Sequence, residues 1–194
     1  MLISLRKLFM LMGVCTQYRM KLKKIDIEEL ENLNFGLKIF RKINFDDSRG
    51  SLQLDFEGGL GEYSFSHLTW KTSCSKKNIG RGLHLQNSKK PLSKIITVNS
   101  GSIVDFLYNP KHSPSLVYCF EYSKADKYSI LIPPDIAHGF ITLSDTIFSY
   151  ITLGKYSEKD EITFNLLSDA ARVLDLNSVK LSAKDKSFTP INFD

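Results

Sequence analysis

Only four histidines occur in the 194 residues, and two of them sit where an imidazole could move a proton. His84 lies in Arg81-Gly-Leu-His-Leu-Gln86. Strand alternation there sends Gly82, His84 and Gln86 to one polar face and Arg81, Leu83 and Leu85 to the other. His138 lies in Ile132-Pro-Pro-Asp-Ile-Ala-His-Gly-Phe140, where a double-proline turn feeds a histidine into the next strand. Histidine titrates near pH ~6.5 and so suits acid–base work at neutral pH. Each residue also reads as a hydrogen-bonded core histidine, which is the commoner role for a lone imidazole in a β protein. Asp105, in Ile103-Val-Asp-Phe-Leu107, stands out for a different reason, because a carboxylate in an apolar strand is costly unless paired.

The elements that must position these groups are strands. Apolar–polar alternation over Leu37–Phe45, Tyr63–Trp70, Leu83–Leu85, Lys94–Val98, Ser102–Tyr108, Leu116–Tyr122, Tyr128–Ile132 and Thr146–Ile151 predicts eight of them. Turn material falls between them at Asp47–Gly50, Glu57–Gly61, Asn99–Gly101, Asn109-Pro110 and Pro133–Asp135. Ile25–Leu33 has acids in a short helical or turn-like pattern, and Ser168–Leu174 is the one helical stretch in the body. Many short strands with this punctuation predict an all-β sandwich or jelly roll in a single domain.

Charge and cysteine usage narrow the function classes. The chain holds 26 basic and 21 acidic residues, but Arg6, Lys7, Arg19, Lys21, Lys23 and Lys24 fall in the first 24 residues with no acid among them. The remainder carries 20 basic against 21 acidic residues, so the net charge does not describe a nucleic-acid-binding body. Cys15, Cys74 and Cys119 form no CxxC pair and are odd in number, which argues against a disulfide framework and for a reducing cytoplasm. No apolar run approaches the ~18 residues of a spanning helix, so no membrane partner is expected. Leu8–Val14 after Arg6-Lys7 resembles a short signal peptide but lacks a small-x-small cleavage site. The favoured reading is a basic extension over residues 1–24, with Met20 as the true start and residues 1–19 dispensable. Residues 25–194 then form the one domain.

Taken in order, Phe45-Asp-Asp-Ser-Arg-Gly50, Arg81-Gly-Leu-His-Leu-Gln86, Lys94-Ile-Ile, Gly101-Ser-Ile-Val-Asp105, Ile132–Phe140, Tyr150 and Leu181-Ser-Ala-Lys-Asp185 resemble the dTDP-4-dehydrorhamnose 3,5-epimerase family. The resemblance covers roughly residues 37–190. It implies a cupin-type jelly-roll barrel, a homodimer with exchanged edge strands and no cofactor. It also implies a nucleotide-diphosphate 4-keto sugar as substrate, inverted at one or both carbons beside the ketone in deoxysugar and surface polysaccharide biosynthesis.

By that resemblance His84 is the base, Asp185 its partner, Tyr150 the acid on the opposite face and Lys94 the cation beside the ketone. Arg49 and Arg81 match diphosphate positions, with Arg49 reaching the neighbouring subunit's site. Gln86, His138 and Tyr156 are assigned to substrate contact or site shaping, and Asp105 is expected to hold Lys94. Metal-binding cupins generally carry His-x-His on the strand of His84, whereas this chain has His84-Leu-Gln86. Gln is a poor ligand for zinc, iron or nickel, so no metal is expected.

The sequence also departs from the family. Leu52 and Leu54 stand where a Phe and a Glu are usual, Thr69 and Lys71 where a Gln-x-Asn pair is usual, and Asn109-Pro-Lys111 where Asp-x-Arg is usual. Thymidine recognition is therefore in doubt. The alternative reading is a cupin that binds a sugar nucleotide without turning it over, and the third is a cupin with an unrelated small ligand.

Overall fold

The structure is a computed structural model that describes residues 21–60, 67–86, 89–111 and 116–187. Its strands are β1 (Lys21–Lys24), β2 (Lys38–Arg41), β3 (Ile43–Asp47), β4 (Gly50–Leu54), β5 (Leu68–Ser75), β6 (Gly80–Gln86) and β7 (Ser93–Ser100). They continue with β8 (Ser102–Tyr108), β9 (Leu116–Ser123), β10 (Tyr128–Ile132), β11 (Ala137–Thr142), β12 (Thr146–Leu153) and β13 (Glu161–Thr163). A 3₁₀ turn spans Ile27–Asn32, and the single α-helix, α1, spans Leu167–Val173.

The strands build two facing sheets, in the orders β1-β9-β8-β11-β6-β13 and β2-β10-β7-β12-β5. This is the expected all-β jelly roll. Between the sheets, alternate residues such as Ile103, Leu107, Phe120, Ile96, Ile130 and Phe148 bury a common core. The other face of the six-stranded sheet packs Leu83, Leu85, Phe106 and Ile141 against Leu167, Ala170 and Ala171 of α1. Leu83 and Leu85 are thereby anchored outward, which turns His84 between them inward.

Three differences from the sequence reading have physical causes. The run Leu37–Phe45 breaks at Lys42, whose side chain turns into the interior and donates from Nζ to the Val98 carbonyl at 3.3 Å. Beyond it, β3 and β4 leave both sheets as a separate hairpin. β5 runs on to Ser75 through Lys71-Thr-Ser-Cys-Ser75, a stretch too polar to be read as a strand. It is held there by pairing along the whole of β12, from Leu68 opposite Leu153 to Ser75 opposite Thr146. Lys21–Lys24, within the expected extension, form β1 and pair in parallel with β9, so these four residues belong to the sheet. Residues 1–20 and 63–66, where the dispensable segment and part of one strand were expected, lie outside the described residues.

Candidate active site

A cavity of about 330 Å³ lies between the two sheets. β6 and β11 supply Arg81, His84 and His138 from one sheet, and β5, β7 and β12 supply Lys71, Lys94 and Tyr150 from the other. Ser182, Lys184 and Asp185, from the segment beyond α1, complete the wall.

The His84 ring is held between two carboxylates. Nε2 lies 2.9 Å from Asp185 Oδ1, and Nδ1 lies 3.3 Å from Glu161 Oε1. Asp185 is itself fixed, since the Gly82 N–H donates to Oδ1 at 3.1 Å and the Ser182 hydroxyl donates to Oδ2 at 2.7 Å. Burial pushes its pKa up, but contacts with His84, Ser182 and the Gly82 amide outweigh that and hold it down at about 2. Burial likewise raises Glu161, and Tyr156, His84 and Lys184 more than reverse it. Both carboxylates thus stay ionised at neutral pH on either side of the ring.

Glu161 is the partner of His84 that the sequence reading missed. It lies on β13, a three-residue strand opposite Gln86 of β6, and its one signal was an acid leading the apolar alternation Ile162-Thr-Phe164.

Tyr150 and Lys94 approach from the facing sheet. Burial raises the Tyr150 pKa, with Arg81 opposing and Glu161 adding to the shift, so the phenol keeps its proton at neutral pH. Lys94 is half-buried and donates from Nζ to the His84 carbonyl at 3.1 Å. Desolvation brings its pKa down to about 8, against the fields of Glu161 and Asp105 and with that of Lys71.

Arg81 reaches the cavity by a route that simple alternation does not give. On β11, His138 is opposite His84 and Phe140 is opposite Arg81, so Gly82 and Leu83 together face Gly139. This β-bulge inserts one extra residue and resets the alternation. Arg81 therefore points inward with His84, contrary to the expected opposite face, and its Nε donates to Ser75 Oγ on the facing sheet at 3.2 Å.

One expected pairing is corrected. Asp105 does not hold Lys94. It is fully buried and pairs with His138, whose Nε2 lies 2.9 Å from Oδ2. Burial raises the Asp105 pKa and His138 opposes that rise, so His138 answers one oxygen of the carboxylate inside the core. Gln86 borders the cavity, but its amide donates to the carbonyls of Lys90 and Lys155 and accepts from the Ser157 N–H. It braces the loops around the site. Arg49 is not brought to the cavity of its own chain. It sits at the tip of the β3–β4 hairpin, paired with Asp47, and its side chain is 88% exposed.

Among the described residues, no group of three or more His, Cys, Asp or Glu side chains is arranged to hold a metal ion. No helix among them is long and apolar enough to cross a membrane.

The sequence profile of the dTDP-4-dehydrorhamnose 3,5-epimerase family matches residues 34–192. The chain belongs to this family. Its curated relatives include the dTDP-4-dehydrorhamnose 3,5-epimerase of Escherichia coli, 31% identical over 60% of this chain and 68% of that protein. The enzyme of that name from Salmonella typhimurium is 34% identical over 46% of this chain, and the match spans only 51% of its length. Among solved structures, the 3,5-epimerase of Sulfolobus tokodaii is 29% identical with a TM-score of 0.64, covering 79% of this chain and 89% of that one. The dTDP-6-deoxy-D-glucose-3,5-epimerase of Legionella pneumophila, solved in complex with dTDP-4-keto-L-rhamnose, is 27% identical with a TM-score of 0.63, covering 78% and 86%. Membership makes this chain a cupin of the epimerase type, an isomerase family.

Proposed function

We propose that this protein epimerises a nucleotide-linked 4-keto-6-deoxy sugar at one or both carbons beside the ketone, without a cofactor. The observation that carries this reading is the placement of His84 and Tyr150 on facing sheets of one cavity. Inversion needs a proton removed from one face of a carbon and another returned to the opposite face.

His84 takes the proton, and Asp185 and Glu161 stabilise the imidazolium that forms, as a carboxylate does in other His–Asp pairs. The bond's electrons pass into the ketone as an enolate. Lys94 stabilises that oxyanion, and a fixed cation counts for more in a poorly solvated site than in water. Tyr150 then gives its proton to the carbon from the other side.

The test is incubation in deuterated water with a panel of nucleotide-linked 4-keto sugars. Deuterium should enter beside the ketone with inversion, and His84→Ala should lose both. A folded wild-type protein that takes up no deuterium from any of them is a binding cupin, and the reading falls.

A homodimer in a reducing cytoplasm completes this reading. The β3–β4 hairpin joins neither sheet, and it exposes Ile43, Phe45 and Leu52 while β5 exposes Leu68 and Trp70. Large apolar groups exposed on these strands favour cover by a second copy. Arg49 would then serve the neighbouring site. Mixing Arg49→Ala and His84→Ala subunits should restore part of the activity that each lacks, because one site per mixed dimer is intact. No recovery from subunits shown to exchange removes the shared-site arrangement.

A further inference from the structure

We propose that Lys71 is a specificity-determining residue that binds the sugar-proximal phosphate of the substrate's diphosphate. The inference rests on the reading of the cavity as a nucleotide-sugar site. Lys71 lies on β5 directly opposite Tyr150 of β12. Its side chain faces the cavity while its neighbours Trp70 and Thr72 face outward.

The ammonium group is held between two rings. Nζ is 5.8 Å from the centroid of Tyr150 and 4.9 Å from that of Tyr156. Tyr150 is the inner of the two and Tyr156 is partly exposed, so the cation bridges the reacting end of the cavity and the more open ground beyond. Ring faces orient an ammonium without using up its N–H donors for an anion.

The other cations of the cavity each have one protein partner. Lys94 donates to the His84 carbonyl, Arg81 to Ser75, and Lys184 lies 3.0 Å from Glu161. Among the described residues, no carboxylate lies within ion-pair distance of Lys71. Four cations, Lys71, Arg81, Lys94 and Lys184, line the cavity against two carboxylates, Glu161 and Asp185. The surplus of two matches the two negative charges of a sugar-linked diphosphate. A sugar whose reacting carbons lie between His84 and Tyr150 carries that diphosphate on its anomeric carbon, and Lys71 is the cation beside Tyr150.

Lys71 and Lys94 also share one field, since Lys71 contributes to the lowered pKa of Lys94. An anion bound between them relieves that repulsion.

The test is calorimetric titration with inorganic pyrophosphate and with dTDP, using wild type, Lys71→Met and Lys71→Arg. Pyrophosphate needs no assumption about the base. Lys71→Met should bind pyrophosphate about tenfold more weakly, the scale of one lost charge-assisted contact, and Lys71→Arg should stay within about threefold of wild type. In Lys71→Met the alkaline limb of kcat/KM should also move to higher pH, because Lys94 loses a like-charged neighbour. Equal pyrophosphate affinity in folded Lys71→Met, or a wild type that does not take pyrophosphate, overturns the assignment. Deuterium uptake separates this from the epimerase reading: pyrophosphate binding that depends on Lys71 in a wild type without exchange upholds the phosphate site and removes the epimerase.

Discussion

Asp185 meets His84 at 2.9 Å from a turn beyond the last helix, 101 residues along the chain. The same carboxylate accepts from the Gly82 amide, so it fixes the backbone of β6 as well as the ring that β6 carries. Asp185→Asn should keep the fold and lower kcat by about 10²-fold or more, because the imidazolium loses its counter-charge. Steady-state kinetics beside a circular dichroism spectrum would check it. A variant as active as wild type would remove Asp185 from the mechanism.

Acid stability follows from the same group. Its folded pKa, about 2, lies below the ordinary aspartate value of 3.8. The unfolded chain therefore binds the proton more readily, and the stabilisation is present above pH ~4 and lost as pH falls towards ~2. Urea midpoints measured down that range should fall more steeply for wild type than for Asp185→Asn.

Tyr150→Phe removes the proton donor and leaves the base. Inversion should slow by about 10²-fold, while deuterium still enters on the face that His84 serves. Mass spectrometry of recovered substrate distinguishes the two, and parallel loss of exchange and inversion would contradict the division of labour.

Lys94 sets the alkaline limit. With a pKa of about 8, it is cationic below that pH and neutral above it. Stabilisation of the enolate is then present below pH ~8 and fades above it, so kcat/KM should fall along that limb. Tyr150 does not produce this limb, since its pKa is raised. Lys94→Met should give a slow enzyme whose pH profile lacks it.

Gly82 has φ of +101°, and a Cβ there would stand 2.6 Å from both the Gly139 Cα and the His138 carbonyl oxygen. Gly82→Ala should cost roughly 1–3 kcal/mol and displace both Arg81 and Asp185 from His84's surroundings. Thermal melts together with pyrophosphate affinity would report the two effects, and a variant as stable as wild type would show that the bulge tolerates a side chain.

Much of this architecture was written locally. Leu83 and Leu85 flanking His84 determine, by period two alone, that the imidazole faces the cavity if the leucines face α1. The turn residues between alternating runs determine an all-β chain for the same reason, since both signals act over a few residues. The order of short motifs determines the family.

Tertiary structure decided what joins across distance. Glu161 came beside His84 only because a three-residue strand pairs at the edge of β6, and so short a strand has too little periodicity to be read. Asp105 chose His138 over Lys94 because β8 and β11 are neighbours and the pair must be satisfied where no water reaches. Arg81 turned inward through a bulge that depends on Gly139 lying opposite, and the local sequence of β6 does not contain that partner. Arg49 left its own cavity because the β3–β4 hairpin joins neither sheet. Alternation tells a side chain which face of its own strand it occupies; which groups lie across from that face is fixed only when the sheets close.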